Sequence, residues 1–487
     1  MASVKEHLKT AAKNSAIYSL GPLSSKVAGF VLLPLYTSHL TLSEYGILGI
    51  VDVTMQIFVS VFGFGLNWAF NRWYWDKEYI HKQKIIFFSL FVFLAATSLV
   101  MFALFLPFTN ALSILLFDSE KYGYVFKLML IASGLQILAN LPNTLLKLQQ
   151  RPLLFSVSNT VKLVFSLTFT VIFIVEFNRG IQGIYEALII GFVVYFVMLS
   201  RYIYKNLEFK FDSAVIKEML IFSLPLMGSS TATVVLSFAD RYILKFIGGL
   251  NDVGIYSLGY KLSNTIKVFI IQSVILAISP IIYKVMYDEN SGEFYSRLMT
   301  YFAFVLMIVV VGVSLFGKEL VMVLAKNKDY WDAYKIIPVL SLAMLFIGIR
   351  YIAEIGLNIE KKTGVKAKIV VAVSVLNIVL NVVFIPAWQS MGAALAMLVS
   401  QAVYFYLNYY FSQKHYFIPF EMKRLNLILF VTTLYIVGAL LLNAQFSIGR
   451  FIIKAGMFVS IPALLYFLRF FRRDELKSLQ KMLKQKS

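Results

Sequence analysis

Residues 85–107 read IIFFSLFVFLAATSLVMFALFLP, a run with no charged side chain. Lipid offers no partner to a free peptide group, so a segment that crosses it is a helix or part of a closed barrel. Barrel strands would show alternating segments of about 10 residues. This run is continuous and twice that length, enough for a helix to cross a hydrocarbon core of about 30 Å. Working outward, similar runs recur along the whole chain. They predict helices at roughly 14–38, 46–70, 85–107, 124–146, 153–176, 183–204, 219–244, 254–282, 298–317, 336–358, 367–385, 392–412, 425–443 and 450–468. The expected fold class is an all-α polytopic membrane protein of about 14 transmembrane helices.

Composition agrees. Of 487 residues, 59% are hydrophobic and 14% charged, against roughly 25% charged in soluble domains. Mean hydropathy is +0.77. The formal charge of +20 would suggest nucleic acid in a soluble protein. Here it marks cytoplasmic loops, and no nucleic-acid partner is expected. Basic side chains gather in alternate connections: Arg72, Lys77, Lys82 and Lys84, then Lys147 and Arg151, then Arg201, Lys205, Lys210 and Lys217. Lys361, Lys362, Lys366 and Lys368 continue the set, followed by Lys414, Lys423 and Arg424. An even helix count places both termini on that cytoplasmic side. The loop around Lys318, Lys326 and Lys328 runs against the rule. With no cysteine, disulfides and thiolate metal sites are excluded.

The chain also repeats itself. Glu44-Tyr45-Gly46-Ile47 answers to Asp252-Val253-Gly254-Ile255, and Gly46 and Gly254 stand 208 apart. Tyr122 with Tyr330, and Lys127 with Lys335, keep the same shift. Six helices lie in each copy, so the copies share an orientation and form a parallel repeat about the membrane normal. The expected division is an N-terminal lobe at 1–204 and a cytoplasmic linker at 205–218. A C-terminal lobe at 219–412 follows, then two extra helices within 413–468. The tail, 469–487, sets Leu476, Leu479 and Leu483 among Arg472, Arg473, Lys477, Lys481 and Lys484. It reads as a basic amphipathic helix on anionic membrane lipids. Gly21-Pro22 and Pro225 are expected to interrupt the first helix of each lobe, where moving, site-lining segments sit.

Ionisable side chains at membrane depth are costly and mark function by default. The basic candidates are Lys26, Lys162, Lys261, Lys267 and Arg350; the acids are Asp52, Asp240 and Glu354. The balance is positive, which suits an anion. Arg350 and Glu354, four apart on one helix, can also neutralise each other, and Asp240 with Arg241 can form a structural pair. Asp52 can pair with Lys26 or carry a coupling ion, H+ or Na+; this stays open. Lys127 and Lys454, near helix ends, are expected to snorkel. The histidines His7, His39, His81 and His415 all fall near loops or ends. No paired carboxylates line one membrane face, so neither an enzyme, nor a metal, nor another cofactor is expected.

Three clusters carry a family resemblance. The first is Asn14 with Leu33-Pro34-Leu35-Tyr36-Thr37 and Glu44-Tyr45-Gly46. The second is Phe222-Ser223-Leu224-Pro225-Leu226, with Ala239-Asp240-Arg241-Tyr242 and Gly254-Ile255-Tyr256-Ser257 behind it. The third is Leu376-Asn377 and Leu380-Asn381 with Ile385-Pro386 and Gly392-Ala393-Ala394. In this order they resemble the polysaccharide repeat-unit flippases, relatives of multidrug/toxin extruders and lipid II flippases in the multidrug/oligosaccharidyl-lipid/polysaccharide superfamily. The resemblance implies two six-helix lobes working by alternating access. It implies a substrate, an undecaprenyl-diphosphate-linked oligosaccharide, turned from the inner to the outer leaflet of a bacterial cytoplasmic membrane. A polysaccharide polymerase and a chain-length regulator would be partners. Flippases of the superfamily are held to use basic cavity residues on their first and eighth helices, where this chain has Lys26, Lys261 and Lys267. The rival on the same fold is a drug/ion antiporter, for which an acidic cavity would be expected.

Overall fold

The computed structural model of the chain describes residues 29–442 and 447–472. Gly21-Pro22, Lys26 and the tail from residue 473 lie outside the described residues, and so do the expectations attached to them. Among the described residues the secondary structure is helical, with no strand. Eleven of these helices are long and apolar enough to cross a membrane, or twelve if Lys328–Lys335 and Ile337–Ala353, bent by 49°, form one span.

The first described helix is α1 (Leu33–His39), followed by α2 (Leu42–Phe62) and α3 (Leu66–Trp73). The Glu44-Tyr45-Gly46 motif has a local explanation. Thr41 caps α2 by accepting from the Glu44 N–H at 3.2 Å, while Glu44 Oε2 accepts from the Thr41 N–H at 3.0 Å. This reciprocal box satisfies two donors that a helix start leaves open. Next come α4 (Gln83–Phe105), α5 (Thr109–Phe117), α6 (Gly123–Leu148), α7 (Pro152–Val175) and α8 (Gly180–Lys205). The chain continues with α9 (Ser213–Ile247) and α10 (Leu250–Thr265), a π-helical turn over Ile266–Ile271, and α11 (Gln272–Lys284). It then forms α12 (Ser291–Leu315), α13 (Gly317–Leu324), α14 (Ile337–Ala353) and α15 (Ile355–Ile359). The last are α16 (Thr363–His415), α17 (Met422–Leu442) and α18 (Ile448–Phe467).

Two details differ from the sequence expectation. The segment 46–70 is not one helix but α2 and α3, parted at Gly63–Gly65. Pro225, in contrast, lies inside a continuous α9; one missing N–H is absorbed where the neighbouring turns hold the backbone. α16 runs for 53 residues, about 80 Å at 1.5 Å per residue. That is far beyond one crossing, and Gln389, with φ 48° and ψ −126°, divides it into two helices.

Contacts divide the chain into two units. The first holds residues 1–257 with 324–327 and 374–389. Inside it α7 packs along α8, α6 on α8 and α4, and α9 on α2. The Tyr242 and Thr54 hydroxyls, 2.6 Å apart, tie α9 to α2. Asn377 and Asn381 are buried and bonded to each other, so these motif asparagines serve packing. The segment before α9 is held at Asp212, which caps α9 by accepting from Val215 N–H at 3.2 Å and pairs with Lys82 at 3.2 Å. The Val215 bond first, and Lys82 after it, hold its carboxyl below the usual range. The second unit holds residues 258–323, 328–373 and 390–487. Its centre is α12 against α14 and α17.

Candidate functional site

Four of the candidate residues lie in the first unit. Asp52, on α2, accepts from the Tyr185 hydroxyl of α8 at 2.7 Å. Lys162, on α7, sets its ammonium over two rings of α8, 4.8 Å from the Phe192 centroid and 5.8 Å from that of Tyr195. An ammonium in apolar surroundings gains from the negative face of a ring without needing a carboxylate. Asp240 and Arg241, near the end of α9, are both buried. The Arg241 N–H donates to Asp240 Oδ1 at 2.9 Å, Tyr256 donates to Asp240 Oδ2, and Arg241 Nε donates to Ser257 at 3.4 Å. The Arg241 guanidinium also lies over the Phe238 and Tyr256 rings. This cluster joins the end of α9 to the start of α10.

The other four described candidates lie in the second unit. Lys261 is on α10, and Lys267 is in the π turn. A π turn inserts an extra residue into the helical repeat and frequently accompanies function. Nothing in the local sequence announces it. Arg350 and Glu354 are brought together, at 3.3 Å. Lys366 closes on the other Glu354 oxygen at 3.2 Å and on Asn358 Oδ1 at 2.8 Å. The Arg350 guanidinium rests over Tyr404 at 4.1 Å, and its buried Nε has no hydrogen-bond acceptor among the described residues. One carboxylate thus serves two cations, and Arg350 is held in a structural cluster.

Lys454 corrects an expectation. It does not snorkel: its side chain is 1% exposed, and its Nζ stands 2.6 Å from Glu319 Oε1 at the α13 start. Two separate helices meet there, and sequence spacing cannot show such a pairing. Among the described residues, no cluster of three or more His, Asp or Glu could hold a metal.

Sequence reading missed the break between α2 and α3, although Gly63-Phe64-Gly65 was its visible signal. Asn67 and Trp68 follow it directly, and both line a cavity that Asn140 of α6 also reaches. Thr144 donates to Asn67 Oδ1 at 3.4 Å and to the Asn140 carbonyl at 2.9 Å, and Asn159 donates to Asn143 at 2.9 Å. Uncharged amides therefore run through the membrane helices of the first unit.

Comparison with known proteins places this architecture. The chain is 27% identical over 219 residues to the capsular polysaccharide biosynthesis protein CapF of Staphylococcus aureus, which covers 44% of this chain and about half, 55%, of that protein. Its fold is similar to the lipid II flippase MurJ in an inward closed conformation, with a TM-score of 0.74, 16% identity, and coverage of 94% of this chain and 100% of that one. It is also similar to an inward-facing multidrug resistance MATE transporter, with a TM-score of 0.66, 12% identity, and coverage of 85% and 95%. Residues 11–286 match the family described as polysaccharide biosynthesis protein. Over half its length, then, the chain matches and belongs to the polysaccharide biosynthesis protein family, and its fold is similar to those of the lipid II flippase and the multidrug resistance transporter.

Proposed function

We propose that the chain moves an undecaprenyl-diphosphate-linked oligosaccharide from the inner to the outer leaflet of a bacterial cytoplasmic membrane. Family membership supports the class of cargo, and the charge within the membrane supports its sign. The buried acids Asp240 and Glu354 are each engaged by a cation of their own unit. Lys162 rests on rings rather than on a carboxylate. That surplus of positive charge is the observation that carries the reading, since a diphosphate is the anion such a path would stabilise. Lys26, Lys261, Lys267 and Lys162 are the proposed substrate contacts. Asp52 is the proposed place for a coupling proton or sodium ion, with its Tyr185 bond as the contact that changes on occupancy. The same reading puts both termini on the cytoplasmic side, in keeping with the basic connections. A polymerase and a chain-length regulator take the product outside.

The test is deletion of the gene in its host. Surface polysaccharide is expected to fall to background, and the lipid-linked oligosaccharide to accumulate where an external lectin cannot reach it. Normal surface glycan together with new sensitivity to cationic drugs would instead establish a drug/ion antiporter; a multidrug resistance MATE transporter has a similar fold.

A further inference from the structure

The break between α2 and α3 has a cavity of its own. Phe64 and Gly65 both take left-handed backbone, with φ of 50° and 64°. Glycine holds that conformation readily, while phenylalanine holds it only where its surroundings impose it. Irregular backbone at membrane depth persists where protein buries it or where it lines a cavity. Here a cavity of about 270 Å³ opens beside it, with Ser60, Asn67, Trp68 and Asn140 as its polar and aromatic lining. It is smaller than the roughly 300–1,000 Å³ of a site that encloses a drug-sized ligand, and its described lining holds no charged residue.

The side chains are disposed for binding. Asn67 Oδ1 accepts from Thr144. The Asn67 Nδ2 and the Asn140 side-chain amide have no hydrogen-bond partner among the described residues. Trp68 is 47% exposed. A lipid-facing belt tryptophan would not share its surroundings with unengaged amides, which are costly to hold against hydrocarbon. A phosphate would call for a cation and a cationic drug for an acid, and the lining offers neither. A neutral pyranose fits both halves of the lining. Its C–H face lies on an aromatic ring, and its hydroxyls need donors and acceptors side by side, which amides supply.

We propose that this cavity is a subsite for one neutral sugar ring of the lipid-linked glycan, stacked on Trp68 and hydrogen-bonded by Asn67 and Asn140. The subsite rests on the flippase reading above. The internal repeat supports a division of labour. A shift of 208 carries Val59 of the lining onto Lys267, and Gly63 onto Ile271, the last residue of the π turn. Both copies are irregular at this level, which is where transporters place their sites. The first copy is neutral and aromatic there, and the second is cationic.

The full chain in lipid nanodiscs is titrated with undecaprenyl diphosphate, and with that lipid carrying a single glucose, galactose, N-acetylglucosamine or glucuronic acid. At least one neutral headgroup is expected to bind about ten-fold tighter than the bare diphosphate. Trp68→Ala and Asn140→Leu are each expected to remove that preference and leave undecaprenyl diphosphate binding within about two-fold of wild type; Trp68→Phe keeps most of it. If Trp68→Ala does not fold, as judged by size-exclusion profile, Asn67→Leu and Asn140→Leu decide. Persistence of the neutral-sugar preference in folded variants overturns the subsite. So does a wild type without sugar preference, or one that prefers glucuronic acid. Failure of the wild type to bind undecaprenyl diphosphate at all is a separate result, and it removes the flippase reading and the subsite with it.

Discussion

At the scale of single residues, the ionic groups in the membrane divide by how they are compensated. Glu354 is shared by Arg350 and Lys366, Asp240 is bonded by Arg241 and Tyr256, and Lys454 is closed on Glu319. Breaking such a pair differs from replacing it. Removing one partner leaves a buried charge without compensation, at a cost of about 3–5 kcal/mol, while an apolar pair of similar volume is often neutral. The Glu319 site is sharpened by its neighbours, because Lys318 also stands in the field of Lys454, Glu319 and Arg450, and burial pushes its ammonium down. Glu319→Gln is therefore expected to lower stability by about 3 kcal/mol or more. Combining Glu319→Leu with Lys454→Met is expected to restore most of it. Thermal unfolding in detergent decides; a single variant as stable as wild type would show that the pair contributes nothing.

At the scale of elements, close approaches of backbone tell more than side-chain identities. A Cβ on Gly46 would lie 2.2 Å from the Leu250 carbonyl oxygen, and a Cβ on Gly254 would lie 2.3 Å from that of Leu42. Leu42 and Leu250 differ by 208, as the two glycines do. The starts of α2 and α10 thus meet through a reciprocal contact, each glycine admitting the other helix's first carbonyl. Any side chain there must move backbone, and overpacking of that kind costs about 1–3 kcal/mol. Gly46→Val and Gly254→Val are each expected to reduce glycan export by more than half at equal membrane abundance. Gly364→Ala, where nothing lies within 4 Å of the added Cβ, is expected to leave export unchanged. Equal export by all three variants, read as surface polysaccharide in the deletion strain, would show that the helix starts need not approach so closely. Sequence spacing had already pointed to these glycines through the common shift. It did not reveal the break at Gly63–Gly65, because the apolar run continues through it and hydropathy is blind to φ. Pro225 was expected, from proline placement alone, to interrupt a helix that the surrounding turns keep whole.

At the scale of the whole molecule, what the sequence revealed follows from which forces are local. Membrane-length helices are written in continuous apolar runs, so most of them were visible without coordinates. The partners of Lys454, Asp52 and Lys162 come from other helices, and only the folded chain shows them. The transport charge is a property of the summed cations, and it can be tested by changing sign and shape separately. If Lys26 and Lys267 stabilise a diphosphate, charge matters more than geometry, because an ammonium acts on phosphate as a point charge. Lys26→Arg is then expected to keep most export, and Lys26→Gln and Lys26→Glu to lose most of it. Lys267→Glu is expected to act in the same direction but less sharply, since Lys261 on the preceding turns still contributes to the field. A Lys26 that only pairs with Asp52 predicts another pattern, in which Asp52→Asn rescues Lys26→Gln. The decisive comparison is surface polysaccharide in the deletion strain at matched membrane abundance. Full export by Lys26→Glu combined with Lys267→Glu would eliminate the cationic path, because no anion of two phosphates would cross against two added carboxylates.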